Sequence, residues 1–314
     1  MRVWIAALLA LACACGESRE ATDSGTRDAG GGGVDSGDVD TGVPPVDAGG
    51  GGSVIDLISG EWVMAGSREG YVCVRRTLDE TVWIKEFRPV APLGTHHTVL
   101  TIDRAPSGPD GVFRCSATTN ANDMIYGSGV GTEPLAMPPG VAVKVEAGQQ
   151  LLLNLHLFNT TGTELTGISG IDAVVTTEDE VEVEAEAVLA GEEFFSIPAR
   201  ASNFEIEGRC TMAGDTTLFA LMPHMHELGI SMTVMAETSD GMQRLHDDLY
   251  SFDDQRYTVF APVQLREGQR IQVTCRYDNP RDEDVTYGDS TLQEMCYASL
   301  YRYPPVGGGL TCTR

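Results

Sequence analysis

The sequence predicts an all-β protein built from two antiparallel β-sandwich domains of jelly-roll-like type in tandem. Polar and apolar residues alternate over 181–188 and 270–274, which is typical of strands with one buried face. Turn-forming residues at 107–111, 267–268 and 278–280 separate such runs. No segment has the apolar periodicity of an amphipathic helix longer than three turns, so sheets must supply the core.

The N-terminus has the pattern of an export signal. A short charged start is followed by an apolar run over residues 3–12 and then by Cys13 and Cys15. The pattern resembles a bacterial lipoprotein signal, in which a cysteine is acylated and becomes the first mature residue. We expect residues 1–14 to be removed and Cys15 to be lipidated, because this leaves six downstream cysteines, an even number. Cys13 as the lipidated residue and a plain secretory signal are the alternatives.

Residues 15–53 have the composition of a tether. They are rich in Gly, Asp, Ser and Thr, include two runs of four glycines and contain no aromatic residue. Such a segment buries too little apolar surface to offset its ordering entropy, so we expect it to be disordered. The chain as a whole has a net charge of −25. Because an acidic surface repels phosphates, we expect no nucleic-acid partner.

The remaining residues, about 260, suffice for two domains of ordinary size. We expect an N-terminal domain over 54–180 and a C-terminal domain over 181–314, joined near 176–180.

Five of the six histidines fall into three small groups, which suggests metal binding. His224 and His226 are two residues apart, so a strand would place both on one face and turn Met225 to the other. Paired imidazoles suit copper or zinc, although a half-buried strand with two histidines is the simpler alternative. The sixth histidine, His246, stands beside acids and is expected in a solvated loop.

The other two groups are weaker candidates when each is taken alone. His156 lies in a leucine-rich run over 151–157, whose alternation sends it to the face opposite the leucines. A lone histidine there is more often a surface or edge residue than a ligand. His96 and His97 are adjacent, so a regular strand would aim them oppositely. They can bind one ion through different ring nitrogens or a bent backbone, and Gly94 permits such a bend.

Met295 adds a soft, neutral thioether, which suits copper(I) and is a poor ligand for zinc or calcium. Most of the 11 methionines must be packing residues. Met225 is expected to point away from the face of the two histidines, and Met222 precedes Pro223, which disturbs the alternation. Any one methionine, Met232 included, is a weak candidate by itself, and Met295 is singled out by its neighbours in the chain.

These segments together resemble the copper type II, ascorbate-dependent monooxygenases, the family of peptidylglycine α-hydroxylating monooxygenase and dopamine β-monooxygenase. The family's His-His-Met motif, its strand ending in His, its His-x-His followed by Gly, and its Glu-Met-Cys correspond to residues 96–98, 154–156, 224–229 and 294–296. Thr98 replaces the methionine of the first motif. The order and rough spacing of all four motifs agree, over about residues 60 to 314.

The resemblance implies two mononuclear coppers, one for electron transfer and one that binds oxygen and faces the substrate. Their ligands would be His96, His97 and His156 for the first copper and His224, His226 and Met295, the catalytic set, for the second. Ascorbate or a similar one-electron donor would be the co-substrate, and O₂ would hydroxylate a C–H bond of a small organic molecule. The thioether favours copper(I) at the second site.

The family pattern also implies the disulfides Cys73–Cys115, Cys210–Cys312 and Cys275–Cys296, whereas six cysteines alone allow 15 pairings. Disulfides fit an oxidising compartment. We therefore expect an exported protein at the cell envelope, on the periplasmic or cell-surface side, that meets the membrane only through its lipid anchor.

Three positions depart from the peptide-amidating members, in which an Arg, an Asn and a Tyr bind the substrate carboxylate. Here they are Met222, Tyr297 and Ser299, so peptide amidation is not expected. Two other classes stay open. A non-catalytic copper-binding or storage lipoprotein would use the same ligands, and a sandwich adhesion module would need no metal.

Overall fold

The computed structural model describes residues 52–288, 290–307 and 311–313. The expected signal peptide, the lipidation at Cys15 and nearly all of the tether lie outside these residues. Ser53, which was assigned to the tether, begins the first strand.

Strands dominate the described residues, which contain 22 β-strands and one 3₁₀ helix, η1. Their bounds are β1 (Ser53–Met64), β2 (Arg68–Thr77), β3 (Val82–Val90), β4 (Thr95–Asp103), β5 (Gly111–Arg114), β6 (Asp123–Gly129), β7 (Leu135–Ala136), β8 (Val141–Val145), β9 (Gln150–Asn159), β10 (Leu165–Thr176), η1 (Glu178–Glu180), β11 (Val183–Glu184), β12 (Glu186–Glu192), β13 (Ser196–Ile197), β14 (Phe204–Thr211), β15 (Thr216–His224), β16 (Gly229–Thr238), β17 (Gly241–Leu249), β18 (Thr258–Leu265), β19 (Arg270–Tyr277), β20 (Val285–Thr286), β21 (Cys296–Tyr303) and β22 (Thr311–Thr313). The all-β prediction is confirmed. A search of the described residues finds no helix with the length and apolarity needed to cross a membrane.

Two sheets form in the first half of the described chain. One has the order β1-β10-β3-β8-β11, with β7 also paired to β3, and the other has the order β5-β2-β9-β4-β6. Strand β9 is central in the second of these sheets and is buried on both faces except at Phe158. Leu151, Leu153, Leu155 and Leu157 enter the core, as the alternation predicts.

The second half repeats the two-sheet arrangement. One sheet has the order β18-β15-β21-β12-β22 and the other β14-β19-β16-β17, while β13 and β20 form a separate pair. Strand β19 shows the expected alternation, since its odd-numbered residues from Ile271 to Tyr277 are buried. This period-two pattern is what fixes the register of a strand with one face in the core.

The alternating run over 181–188 forms two strands rather than the single strand that its pattern suggested. Val183 and Glu184 form β11, which pairs with β8 of the first half, whereas β12 pairs with β21 of the second half. The chain therefore changes sheets at Ala185, a residue that is buried in the core of the first half. A continuous alternation in sequence does not record where a strand changes partners.

Two hydrophobic cores lie between the sheets, and they meet. The core of the first half includes Phe219, Ala220 and Tyr301, which belong to strands of the second half. The Tyr301 hydroxyl donates a hydrogen bond of 2.7 Å to the Ile125 carbonyl oxygen. The two halves are therefore packed together through buried side chains and not only joined by a linker.

The described residues form three disulfides, Cys73–Cys115, Cys210–Cys312 and Cys275–Cys296. These are the pairs that the family resemblance implies. Several disulfides in one chain are typical of exported proteins.

Candidate metal centres

His96, His97 and His156 lie together at the edge of the first half, because β4 and β9 pair side by side. His97 stands opposite His156 in the antiparallel register, and the register shifts between Thr95 and His97. This bulge, just after Gly94 with its φ of 100°, is the bent backbone that was one of the two expected ways for His96 and His97 to face one site. Both adjacent imidazoles consequently reach His156.

The three rings meet through their Nδ1 atoms. The Nδ1 of His97 lies 3.2 Å from that of His96 and 3.4 Å from that of His156. Nitrogens that bind one transition-metal ion at about 2.0 Å are separated by comparable distances, so this donor set fits a single ion. Within the described residues this is the one group of three or more His, Cys, Asp and Glu side chains with that geometry.

Burial keeps two of these imidazoles, those of His97 and His156, neutral. It lowers the pKa of His156 to about 4, with the charge of His96 adding to the effect. The pKa of His97 falls well below its ordinary value, first through burial and then through repulsion from His156 and His224. Because a neutral imidazole is the form that binds metal, two of the three rings need lose no proton at pH 7.

His224 and His226 are placed differently from the prediction of a regular strand. Strand β15 ends at His224, and His226 lies in the following turn. The alternation nevertheless continues, since Met225 is fully buried in the second core and the two imidazole centroids are 5.4 Å apart. The paired histidines therefore share a side, as the sequence suggested.

Hydrogen bonds determine which ring nitrogen of His224 and of His226 has a lone pair available to a metal. The Nδ1 of His224 lies 3.0 Å from Oε1 of Gln255, and the Nδ1 of His226 lies 3.0 Å from the carbonyl oxygen of Gln293. Because both acceptors need a proton on Nδ1, the Nε2 lone pair of each ring is left for a metal. Burial lowers the pKa of His224, and it lowers that of His226 to about 3.

Met295 stands at the start of β21, where two contacts hold its backbone. The Tyr277 hydroxyl donates a 2.7 Å hydrogen bond to the Met295 carbonyl oxygen, and the next residue, Cys296, is bonded to Cys275. Met295 lines the same cavity as His224 and His226. A thioether and two imidazoles facing one cavity form a donor set that suits copper.

That cavity has a volume of about 250 Å³ and lies where the two halves meet. His97 lines it from the first half, whereas His96 and His156 do not reach it. Among the described residues of its wall there is no Lys or Arg, and Glu193 is the one carboxylate. The positions that depart from the amidating members also line it, namely Met222, Tyr297 and Ser299.

Sequence reasoning missed the residues that hold the ligands in place. Gln255 and Phe252 contact the histidines from a distant segment that carries no motif, whereas Glu294 belongs to the Glu-Met-Cys motif but its bond to the His226 backbone was not predicted. Among these three residues, only Glu294 could have been suspected from the sequence, because it directly precedes Met295. His246 is also not in a loop as expected, because it lies in β17 and pairs with Thr258 Oγ1 at 3.1 Å.

Comparisons with known proteins agree with this geometry. Residues 184–313 match the sequence model of the family described as copper type II ascorbate-dependent monooxygenase, C-terminal domain. Peptidyl-glycine alpha-amidating monooxygenase A of Xenopus laevis is 24% identical over 245 residues, and putative DBH-like monooxygenase protein 2 of Homo sapiens is 26% identical over 237 residues. Residues 184–313 thus resemble the C-terminal domain of the copper type II monooxygenases, and most of the chain is similar to two proteins named as monooxygenases.

The chain spans only part of the length of those relatives. The Xenopus alignment covers 74% of this chain and 26% of the relative, and the human alignment covers 67% and 46%. A solved structure of the infectious bursal disease virus Gt strain aligns with 78% of this chain and 70% of the viral chain at 10% identity. Its TM-score is 0.20, which carries no argument about fold or function.

Proposed function

We propose that this protein is a copper-dependent monooxygenase that hydroxylates a C–H bond of a small organic substrate with O₂ and an ascorbate-like one-electron donor. The observation that carries the proposal is the single cavity faced by His97 from one half and by His224, His226 and Met295 from the other. A storage protein has no need of a cavity of about 250 Å³ beside its ligands.

We assign His96, His97 and His156 to the electron-transfer copper and His224, His226 and Met295 to the copper that serves the substrate. When bound, copper supplies one-electron redox chemistry and reactivity toward O₂. The histidines contribute neutral nitrogen donors, and the bonds from Gln255 and Gln293 orient the rings of His224 and His226. The thioether of Met295 favours the reduced ion.

The side chains of the cavity wall limit which classes of substrate can bind. A peptide carboxylate entering it meets no Lys or Arg among the described wall residues and meets the carboxylate of Glu193. Glu193 is held in place by a 2.5 Å hydrogen bond from the Tyr297 hydroxyl. Because like charges repel in a partly dry cavity, we expect a substrate without a carboxylate near the reacting carbon.

We also propose the domain limits 54–180 and 181–314, export of the chain, and anchoring through an acylated Cys15. Two packed sheets in each half support the division, although β11, at 183–184, still pairs with a sheet of the first half. The three disulfides support export.

The decisive experiment is O₂ consumption by copper-loaded protein, dependent on ascorbate and on a library of small substrates. We expect uptake coupled to an alcohol product, and none from a protein with His224→Ala and His226→Ala. If copper binds at two ions per chain but no substrate supports uptake, the alternative of a copper-binding or storage lipoprotein replaces this proposal. An adhesion module would bind no stoichiometric copper.

A further inference from the structure

One turn of the second half contacts both histidine groups. Residues 251–255 connect β17 to β18, and the turn is closed by the Asp254 N–H, which donates to the Ser251 carbonyl oxygen at 3.2 Å. The Gln255 side-chain nitrogen donates to the Phe252 carbonyl oxygen at 3.1 Å. These bonds make residues 251–255, here called the bridging turn, a defined local structure.

The side chain of Phe252 contacts one histidine of each group, His96 and His226. Its ring centroid lies 4.6 Å from that of His96, with the planes tilted by 36°, and 6.4 Å from that of His226, with the planes nearly perpendicular at 82°. Both separations lie in the range in which aromatic rings attract one another. One side chain therefore touches a proposed ligand of each copper.

The bridging turn is tied to both halves of the molecule. Buried Gln255 accepts a hydrogen bond from His224, while its carbonyl oxygen accepts one of 2.7 Å from the Thr132 hydroxyl of the first half. Just beyond the turn, the Tyr257 hydroxyl donates to the Gly127 carbonyl oxygen at 2.8 Å. Movement of one half relative to the other would have to break these bonds.

We propose that Phe252 is a positioning residue that fixes the separation of the two copper centres and thereby the rate of electron transfer between them. This inference rests on the proposed function, because it assigns metals to the two histidine groups. His96, His97 and His156 would hold the ion that accepts one electron from the ascorbate-like donor and passes it on, and His224, His226 and Met295 would hold the ion that receives it. Neither proton nor bond is exchanged in that electron transfer.

Phe158 offers a matched control. Its ring also contacts His96, at a centroid distance of 6.1 Å, but it has no ring contact with His224 or His226. Phe252→Leu and Phe158→Leu remove the same aromatic group at comparable apolar volume. Phe252→Tyr keeps the ring and should behave as the native chain.

The first measurement uses the metal-free chain and NMR of the histidine ring protons. Removing an aromatic ring changes the ring-current shifts of the protons it faces. We expect Phe252→Leu to shift the signals of both His96 and His226, and Phe158→Leu to shift those of His96 only. A Phe252→Leu spectrum with the His226 signals unmoved overturns the inference whether or not the protein binds copper.

The second measurement uses protein loaded with copper. We expect Phe252→Leu to keep both ions, to lose dipolar broadening between the two copper(II) centres in the EPR spectrum, and to slow inter-site electron transfer in single turnover at least tenfold. Phe158→Leu and Phe252→Tyr should stay within about twofold of native. If Phe252→Leu matches Phe158→Leu in broadening and rate, the inference fails while the proposed function stands. Failure of the native chain to bind two coppers overturns the proposed function instead.

Discussion

The carboxylate of Glu294 accepts a 2.8 Å hydrogen bond from the backbone N–H of His226. Its second oxygen accepts from the N–H of Leu228 at 2.7 Å, and the side chain is fully buried. Burial raises the pKa of Glu294 to about 7. Met295, the proposed sulfur ligand, follows Glu294 directly. Glu294 therefore connects the turn that contains His226 to the segment that contains Met295.

Glu294→Ala should therefore destabilise the metal-free chain. It leaves two buried N–H groups without acceptors, at about 1–3 kcal/mol each, so we expect the free energy of unfolding to fall by about 2–6 kcal/mol. Denaturant unfolding measures this loss. Glu237→Ala, which removes an exposed ion pair with Arg270, is the control and should cost under about 1 kcal/mol. Equal losses in the two variants would contradict the role of Glu294.

Metal analysis should find two coppers per chain after reconstitution and dialysis. The double change His224→Ala and His226→Ala should leave one ion and abolish hydroxylation. His156→Ala should lose the other ion and mainly slow re-reduction of the enzyme. His246→Ala is a matched control, because the imidazole of this strand histidine contacts Thr258 Oγ1 and belongs to neither proposed ligand set, and it should keep both ions. One ion or none in the native chain refutes the two-site assignment.

Gln255→Ala should weaken copper at the second site alone. The Gln255 amide oxygen fixes the Nδ1–H tautomer of His224, and losing such a partner typically costs 10–100-fold in metal affinity. Competition with a chelator, in a background that lacks the first site through His156→Ala, measures the change. Gln272→Ala, which loses a bond to Glu207 far from the turn, should leave the affinity unaltered. If Gln255→Ala leaves the copper affinity unchanged, the Gln255 side chain does not determine the tautomer of His224.

Much of this arrangement follows from the sequence, for identifiable reasons. Strand alternation is a local property, so the leucine face of β9 and the buried face of β19 were predictable. The bend at His96 was one of two arrangements that the adjacent histidines left open, and Gly94 permits it.

The features that could not be predicted from the sequence depend on contacts between residues that are distant in the chain. The switch of sheets at Ala185 depends on which neighbouring strands offer free edges, which alternation does not encode. Gln255 and Phe252 reach the histidines only because β17 and β18 bring their turn to the cavity. Such supporting residues have no fixed spacing from the ligands that they hold.

The metal-free chain should lose stability as the pH falls below about 6.5. Burial lowers the pKa of His156 to about 4 and of His226 to about 3, and it lowers those of His97 and His224 as well. Below pH 6.5 the unfolded chain binds protons that the folded chain excludes, so unfolding becomes easier by about 1.4 kcal/mol per pH unit for each such histidine. Glu294 opposes this, since its raised pKa favours the folded chain as the pH falls from 7 to 4.5.

Four histidines outweigh one carboxyl, so the net effect is a loss of stability on acidification. Unfolding by denaturant at pH 7.5, 6 and 5 measures it. Glu294→Gln removes the opposing group and should steepen the decline. A free energy of unfolding that is constant over this range would contradict the neutral, buried state of the imidazoles.

Met295, rather than Met222, Met225 or Met232, should be the sulfur ligand of the second copper. Met225 is fully buried in the core, and Met222 lies on β15 before Pro223, whereas Met295 faces the cavity from a backbone held by Tyr277 and the Cys275–Cys296 bridge. Met295→Ala should remove the copper(I) sulfur signal from X-ray absorption. It should also weaken copper(I) binding by more than the 10–100-fold that loss of a ligand's supporting partner costs.

Two further variants make the assignment of Met295 sharper. Met222→Leu also removes a thioether from the cavity wall, yet it should preserve the sulfur signal and the copper content. Met295→His keeps a donor but replaces a soft ligand by a harder, titratable one, so it should retain copper(II) binding, lose activity and become more sensitive to pH. If Met295→Ala leaves both the sulfur signal and turnover unchanged, while Met222→Leu alters them, the sulfur ligand is Met222 and the family correspondence fails at this position.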